Sequence, residues 1–192
     1  SFYYRHRSSQ FQILPRSGSE ILFLGDSLTD EGEWIEIFQD LRIRNRGISG
    51  DTTDGVLARL GQVIECRPKK IFLMIGINDL LNEAKSPLAI SQNYKAILAT
   101  LQRETPATQV FIQSVLPVNS QLYGMPIDNA KVTELNFYLQ ELTKEFSFSY
   151  IDVFTHLSDS QGQLDARYTL DGVHLNGSAY LVWKTVIEKY VE

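Results

Sequence analysis

The sequence predicts an α/β protein, a three-layer α/β/α sandwich around a five-stranded, mostly parallel sheet. Three features carry that reading. Short apolar runs recur along the chain with no polar face, helical patterns separate them, and two of the runs end directly in glycine. A strand that is apolar on both faces must be covered on both, which is the situation of a parallel sheet between helices. Strands separated by helices of ten or more residues build right-handed βαβ units, because a parallel neighbour is out of reach of a tight turn.

Taken in order, residues 1–20 form a basic N-terminal lead-in, and a single domain occupies 21–192. The lead-in begins Ser1-Phe2-Tyr3-Tyr4-Arg5-His6-Arg7 and has no apolar signal-peptide core. Ile21-Leu22-Phe23-Leu24, closed by Gly25, is the first strand. Arg42-Ile43-Arg44-Asn45-Arg46 alternates basic with other residues. A binding stripe for an anionic substrate would have this pattern, but in an acidic chain it better fits an edge strand whose charges block edge-to-edge pairing. Val56, Leu57, Leu60, Val63 and Ile64 make one helical stripe, and Ile71-Phe72-Leu73-Met74-Ile75 with Gly76 makes the third strand. A helix carrying Ile90, Tyr94, Ile97, Leu98 and Leu101 leads to a fourth strand from Val110 towards Val115. Val132, Leu135, Leu139, Leu142 and Phe146 then recur at alternating spacings of 3 and 4. Tyr150-Ile151-Asp152-Val153-Phe154 is the fifth strand, and Ala179, Trp183, Val186 and Tyr190 mark a final helix. No repeat, low-complexity tract or linker interrupts the series, and 192 residues suit one domain.

Composition excludes several functions. With 18 Lys+Arg against 23 Asp+Glu, the net charge of −5 leaves no basic face for a nucleic acid. No run approaches the roughly 18 consecutive apolar residues of a membrane span. Cys66 is the one cysteine, which rules out an intrachain disulfide and any multi-cysteine zinc site; at the end of an amphipathic helix it reads as a packed thiol. The histidines lie far apart without liganding patterns, so no metal is expected. The glycine-rich loops of nucleotide sites are missing, so nucleotide binding lacks its usual signature. Compartment stays open between the cytoplasm and export with a leader removed before Ser1.

Open α/β sheets bind ligands beyond the carboxyl ends of their strands. After the first strand comes Gly25-Asp26-Ser27-Leu28-Thr29-Asp30. Ser27 there is either a helix-capping hydroxyl or a nucleophile at the crevice mouth. The Gly-x-Ser-x-Gly elbow is absent, since Thr29 stands at its second glycine. After the second strand, Asp51 or Thr52 fits a helix cap, while Gly50 lets a backbone N–H approach a ligand unobstructed. After the third, Asn78 either caps the next turn or aims its amide into the crevice. Near the C-terminus, Asp171-Gly172-Val173-His174 lets a carboxylate and an imidazole hydrogen-bond within one turn. Such a carboxylate fixes the tautomer and stabilises the imidazolium; an ordinary surface Asp/His turn has the same spacing. His156 lacks a carboxylate three residues before it and reads as a loop histidine, and His6 as a solvated one. Trp34, just beyond the Ser27 loop, reads as core rather than pocket lining.

Together, Gly-Asp-Ser after strand one, Gly50 after strand two, Gly-x-Asn after strand three and Asp-x-x-His before the last helix resemble the SGNH, or GDSL, hydrolase superfamily. The resemblance runs from about Ile21 to the C-terminus. Gly50-Asp51-Thr52-Thr53 followed by Val56-Leu57-Ala58-Arg59-Leu60 resembles its platelet-activating-factor-acetylhydrolase-like and sialate O-acetylesterase-like branch, as does His174-Leu175 with Gly177 and Tyr180. It implies a flavodoxin-like sheet and a serine esterase acting on a small-molecule ester, with no cofactor. Ser27 would be the nucleophile, His174 the general base and Asp171 its orienting partner. The oxyanion hole would comprise the N–H groups of Ser27 and Gly50 and the side-chain amide of Asn78. The longest irregular stretch, Pro117 to Pro126, leaves little material for a lid, so a shallow site for acetyl or other short acyl esters is expected. O-acetylated carbohydrates as natural substrates follow from the resemblance alone. A lysophospholipase or thioesterase would use the same triad, and a non-catalytic binding module on the same sheet would keep the fold. Oligomeric state is unconstrained.

Overall fold

The computed structural model describes residues 1–124 and 128–192. Five strands, β1 (Ile21–Gly25), β2 (Ile43–Gly47), β3 (Lys70–Met74), β4 (Gln109–Gln113) and β5 (Ser149–Ile151), form one sheet in the order β2-β1-β3-β4-β5. Every pairing is parallel, so the mostly parallel sheet expected from the sequence is wholly parallel among the described residues. This is the flavodoxin-like order, with its switch point between β1 and β3.

The helices in chain order are α1 (Phe2–Ile13), α2 (Ser27–Asp30), α3 (Trp34–Phe38), α4 (Thr53–Cys66), α5 (Ile77–Leu81), α6 (Pro87–Glu104), α7 (Ser120–Tyr123), α8 (Asn129–Glu145), α9 (Phe154–Leu157) and α10 (Gly177–Val191). Successive strand residues point to opposite faces, and two cores result. Leu22, Leu24, Ile71, Leu73, Val110 and Ile112 pack with residues of α4, α6 and α8. Ile21, Phe23, Phe72, Met74 and Phe111 pack with Trp34 and α10. The second core is largely aromatic. Phe72 stacks between Phe23 and Phe111 at centroid distances of 5.0 and 4.8 Å, and Trp34 stacks on Phe23 at 4.6 Å. Trp34 is fully buried and donates its indole N–H to the Thr29 carbonyl at 2.8 Å. It is a core residue that also holds the end of α2 in place.

β2 lies at the sheet edge, and its arginines have local partners. Arg42 pairs with Asp40, Arg44 donates to the Leu41 and Ile43 carbonyls, and Arg46 is buried with its guanidinium 4.9 Å from the Phe11 ring centre. β5 is shorter than its apolar run. The Ser114 hydroxyl accepts the N–H groups of Val153 and Phe154 at 2.8 and 2.7 Å, and Asp152 accepts that of Thr155. These bonds end the ladder and turn the chain into α9.

Residues read as a lead-in form α1, capped by the Ser1 hydroxyl. Phe11 is its one buried residue, and Tyr4 donates to the Gly55 carbonyl at 2.8 Å. His6 is exposed on this helix, and His156 is exposed on α9. Cys66 is buried, and that burial pushes its thiol pKa up. Among the described residues, no helix is long and apolar enough to cross a membrane. Parallel register sets Gly25 level with Gly47 and with Met74, so the loops leaving β1, β2 and β3 start side by side.

Candidate active site

The loop after β1 is a single tight cap. The Asp26 carboxylate accepts the Leu28 N–H at 3.1 Å, and Ser27 opens α2. This places the Ser27 hydroxyl oxygen 3.1 Å from His174 Nε2, across 147 residues of sequence. On the other side of the ring, His174 Nδ1 lies 2.7 Å from Asp171 Oδ2.

The Asp171–His174 turn is built by local bonds and one glycine. Asp171 Oδ1 accepts the N–H groups of Val173 and His174 at 2.9 and 2.8 Å. Gly172 adopts φ +88°, and its N–H donates to the Thr169 hydroxyl at 2.9 Å. Its carbonyl accepts the Asn119 N–H at 2.8 Å, which braces the turn against the start of α7. Partial burial works to raise the Asp171 pKa, but the imidazole bond and two backbone N–H bonds outweigh it and hold the carboxyl at about 2. An ionised Asp171 accepts the Nδ1 proton and leaves Nε2 as the acceptor facing Ser27. Asp171 and His174 are half exposed, so their side of the site is open to solvent, while Ser27 is buried.

Asn78 and Gly50 meet through Asp51. Asn78 donates from Nδ2 to the Asp51 carbonyl at 2.9 Å, and its Oδ1 accepts from Asn82. Gly50 is exposed at φ +78°, and a Cβ there would meet nothing within 4 Å. Behind the loop, buried Arg59 donates to Asp51 Oδ2 at 2.9 Å and to the Gly25 carbonyl at 3.2 Å. One guanidinium therefore ties the end of β1 to the loop after β2, and the Asp51 carbonyl ties that loop to Asn78.

Sequence reasoning assigned no site role to Asp26, Asp30, Asp51 or Arg59. Asp26 is fully buried, and burial pushes its pKa up to about 7, with the Leu28 N–H opposing and the Asp51 carboxylate adding to the rise. Asp30, at the end of α2, accepts the N–H and O–H of Ser49 at 3.0 and 2.8 Å. The acidic residues beside Ser27 were visible in the sequence, but their partners lie on other elements. Among the described residues, no cluster of three or more His, Cys, Asp and Glu is arranged to hold a metal ion. Of the Pro117–Pro126 stretch, Ser120–Tyr123 forms α7, while Met125 and Pro126 lie outside the described residues.

The chain is similar to known proteins along most of its length. Residues 23–182 match the model of the GDSL-like Lipase/Acylhydrolase family. Platelet-activating factor acetylhydrolase IB subunit alpha2 of Gallus gallus is 30% identical over 167 residues, covering 84% of this chain and 71% of that protein. N-acylneuraminate cytidylyltransferase of Escherichia coli O18:K1:H7 is 26% identical over 178 residues, covering 92% of this chain but 41% of that protein. A solved structure from Streptococcus pneumonia, provisionally identified as a platelet activating factor, superposes with a TM-score of 0.91 at 29% identity. That match covers 100% of this chain and 94% of the other. The sheet order, the Gly-Asp-Ser loop at its mouth and a family match spanning both the Ser27 loop and the Asp171–His174 turn lead to one conclusion: the chain belongs to the GDSL-like lipase/acylhydrolase family and is a carboxylic ester hydrolase.

Proposed function

We propose that the protein is a serine esterase hydrolysing acetyl and other short-chain esters through an acyl-enzyme. The observation that carries this is the hydrogen-bonded series from Ser27 Oγ through the His174 ring to Asp171 Oδ2. In this reading Ser27 Oγ attacks the ester carbonyl while its proton passes to His174 Nε2. Asp171 keeps the ring in register and stabilises the imidazolium. The carbonyl oxygen becomes an oxyanion facing the N–H groups of Ser27 and Gly50 and the Asn78 amide. Donors held in place before the reaction stabilise that charge without reorganising. His174 then returns its proton to the leaving alkoxide. Water deprotonated by the same nitrogen releases the acid and restores Ser27.

Two observations support a short acyl group. The Asp171–His174 turn is half exposed, as suits an open mouth. The relatives matched at 29–30% identity are named as acetylhydrolases. Acetylated sugars are the proposed natural class, which the sequence resemblance supports.

The test uses aryl esters of increasing chain length, with Ser27→Ala as the control. Acetate should be the preferred acyl group, and Ser27→Ala should abolish hydrolysis while the fold persists. An organophosphonate should add one adduct, at Ser27, by intact mass. Preference rising with chain length would transfer the assignment to a lysophospholipase or thioesterase. Wild-type turnover by Ser27→Ala would overturn the triad, and a wild-type chain inert to esters and phosphonate would leave a binding module. Release of acetate from O-acetylated sugars then tests the alcohol half.

A further inference from the structure

The geometry points to α1 as a positioning element for the Gly50 N–H, acting through Asp30 and Ser49. This rests on the proposed role of Gly50 as an oxyanion donor. Gly50 has no side chain to anchor it and is exposed, and beyond its chain neighbours no atom lies within 4 Å of where a Cβ would stand. Its place is set by its neighbours. On one side, Asp51 is fixed by Arg59. On the other, Ser49 gives both its N–H and its hydroxyl to Asp30 Oδ2, at 3.0 and 2.8 Å. The Ser49 N–H is one peptide away from the Gly50 N–H, so the Asp30 carboxylate sets the orientation of the segment carrying the donor.

Asp30 in turn depends on α1. Its side chain is 7% exposed, and a carboxylate so withdrawn from water needs compensating donors. Two of them come from α1: the Tyr3 hydroxyl at 2.6 Å from Oδ2, and Arg7 Nη2 at 3.3 Å from Oδ1. The Arg7 contact is at once a hydrogen bond and an ion pair. Without these groups, solvation would draw the carboxylate outward and release Ser49. Because Asp30 also closes the short helix that Ser27 opens, α1 bears on the relation between nucleophile loop and donor loop. Tyr3 and Arg7 are thus positioning residues that lie outside the chemistry.

The rest of α1 is attached independently, through buried Phe11, the Tyr4 bond to Gly55 and the Gln62 bond to Ser8. Tyr3→Phe removes only a hydroxyl. Arg7→Met removes the charge but keeps an apolar stem beside Phe11, over which the guanidinium now lies at 4.9 Å. The experiment measures kcat and KM of the full chain on an aryl acetate for Tyr3→Phe/Arg7→Met, alone and in an Asp30→Ala background. Misplacing a donor by about 1 Å from a distance can lower turnover by as much as about 10², and a partial release should lower kcat about tenfold. KM should stay within about twofold, since a donor to the oxyanion acts in the transition state. In Asp30→Ala the same pair of changes should have no further effect, and Tyr3→Phe/Arg7→Lys should recover part of the loss. Should the double variant unfold, Tyr3→Phe alone carries the test with the same direction. Wild-type kcat in the folded variant, or an equal loss in Asp30→Ala, would overturn the inference. An active Ser27→Ala control would instead sink the proposed function beneath it, so the two failures are distinguishable.

Discussion

Asn78 spends one amide hydrogen on the Asp51 carbonyl at 2.9 Å, which orients its Nδ2 and leaves the second hydrogen for a ligand. If that hydrogen meets the oxyanion, Asn78→Ala should lower kcat by about 10² to 10³. KM should change little. Asn78→Asp keeps the size but loses both donors, so it should be at least as impaired. Steady-state kinetics on an aryl acetate decide this, and a kcat near wild type for either variant would remove Asn78 from the site.

The Arg59–Asp51 pair is buried, with side chains 2% and 1% exposed. A buried pair broken on one side leaves an uncompensated charge, at a cost of about 3–5 kcal/mol. Arg59→Met should lose stability on that scale. Arg59→Met/Asp51→Asn should regain most of it, because no net charge is left inside. Urea unfolding of the three proteins measures this. Two variants of equal stability would mean that the guanidinium matters for its bond to the Gly25 carbonyl and not for the charge.

At Gly172, a side chain is excluded twice over. Its φ of +88° is strained for other residues, and a Cβ would sit 2.5 Å from the Asn119 carbonyl oxygen and 2.7 Å from the Tyr123 nitrogen. Both are backbone atoms and cannot swing aside. Gly172→Ala should therefore push the turn off α7, lowering kcat and the rate of phosphonate labelling at Ser27. Unchanged labelling would mean that the turn absorbs the methyl group without moving His174.

The pH dependence of stability should carry the mark of Asp26. Its carboxyl rises from an ordinary 3.8 to about 7, chiefly through burial. Between those values the folded chain holds a proton that the unfolded chain has released. The contribution is thus intact below about pH 4, shrinks as pH rises to about 7, and is lost above it. At full extent it is on the order of 4 kcal/mol. Asp26→Asn keeps a capping oxygen for Leu28 and has no proton to lose. Denaturant midpoints at pH 5 and pH 8 should differ less in Asp26→Asn than in wild type. Equal differences would place the pH dependence elsewhere.

The strands and the long helices could be read from the chain because each announces itself within a dozen residues. Runs such as Ile71–Ile75 are apolar on both faces, and stripes such as Val56 to Ile64 return at helical spacing. The Asp171–His174 pair was legible for the same reason, since both partners lie within one turn. The end of β5 was harder to read: an apolar run continues through Phe154, and the bonds that stop the ladder come from Ser114, just past the end of β4.

Local spacing alone thus sufficed to specify an α/β sheet, its glycine-marked strand ends and a carboxylate–imidazole turn late in the chain. Local spacing could not say which serine that imidazole faces, since 147 residues separate Ser27 from His174; the family resemblance pointed to Ser27, and the folded chain sets the two side chains 3.1 Å apart. Only the tertiary structure decided that residues 2–13 are a helix docked on the domain. Their pattern gave no sign of it, because α1 buries one apolar residue and is otherwise held by hydrogen bonds and arginine–aromatic contacts. Hydrophobic periodicity registers burial along one element. A hydrogen bond or ion pair between residues on different elements leaves no period, so Arg59 with Asp51 and Tyr3 with Asp30 came into view only once the chain was folded.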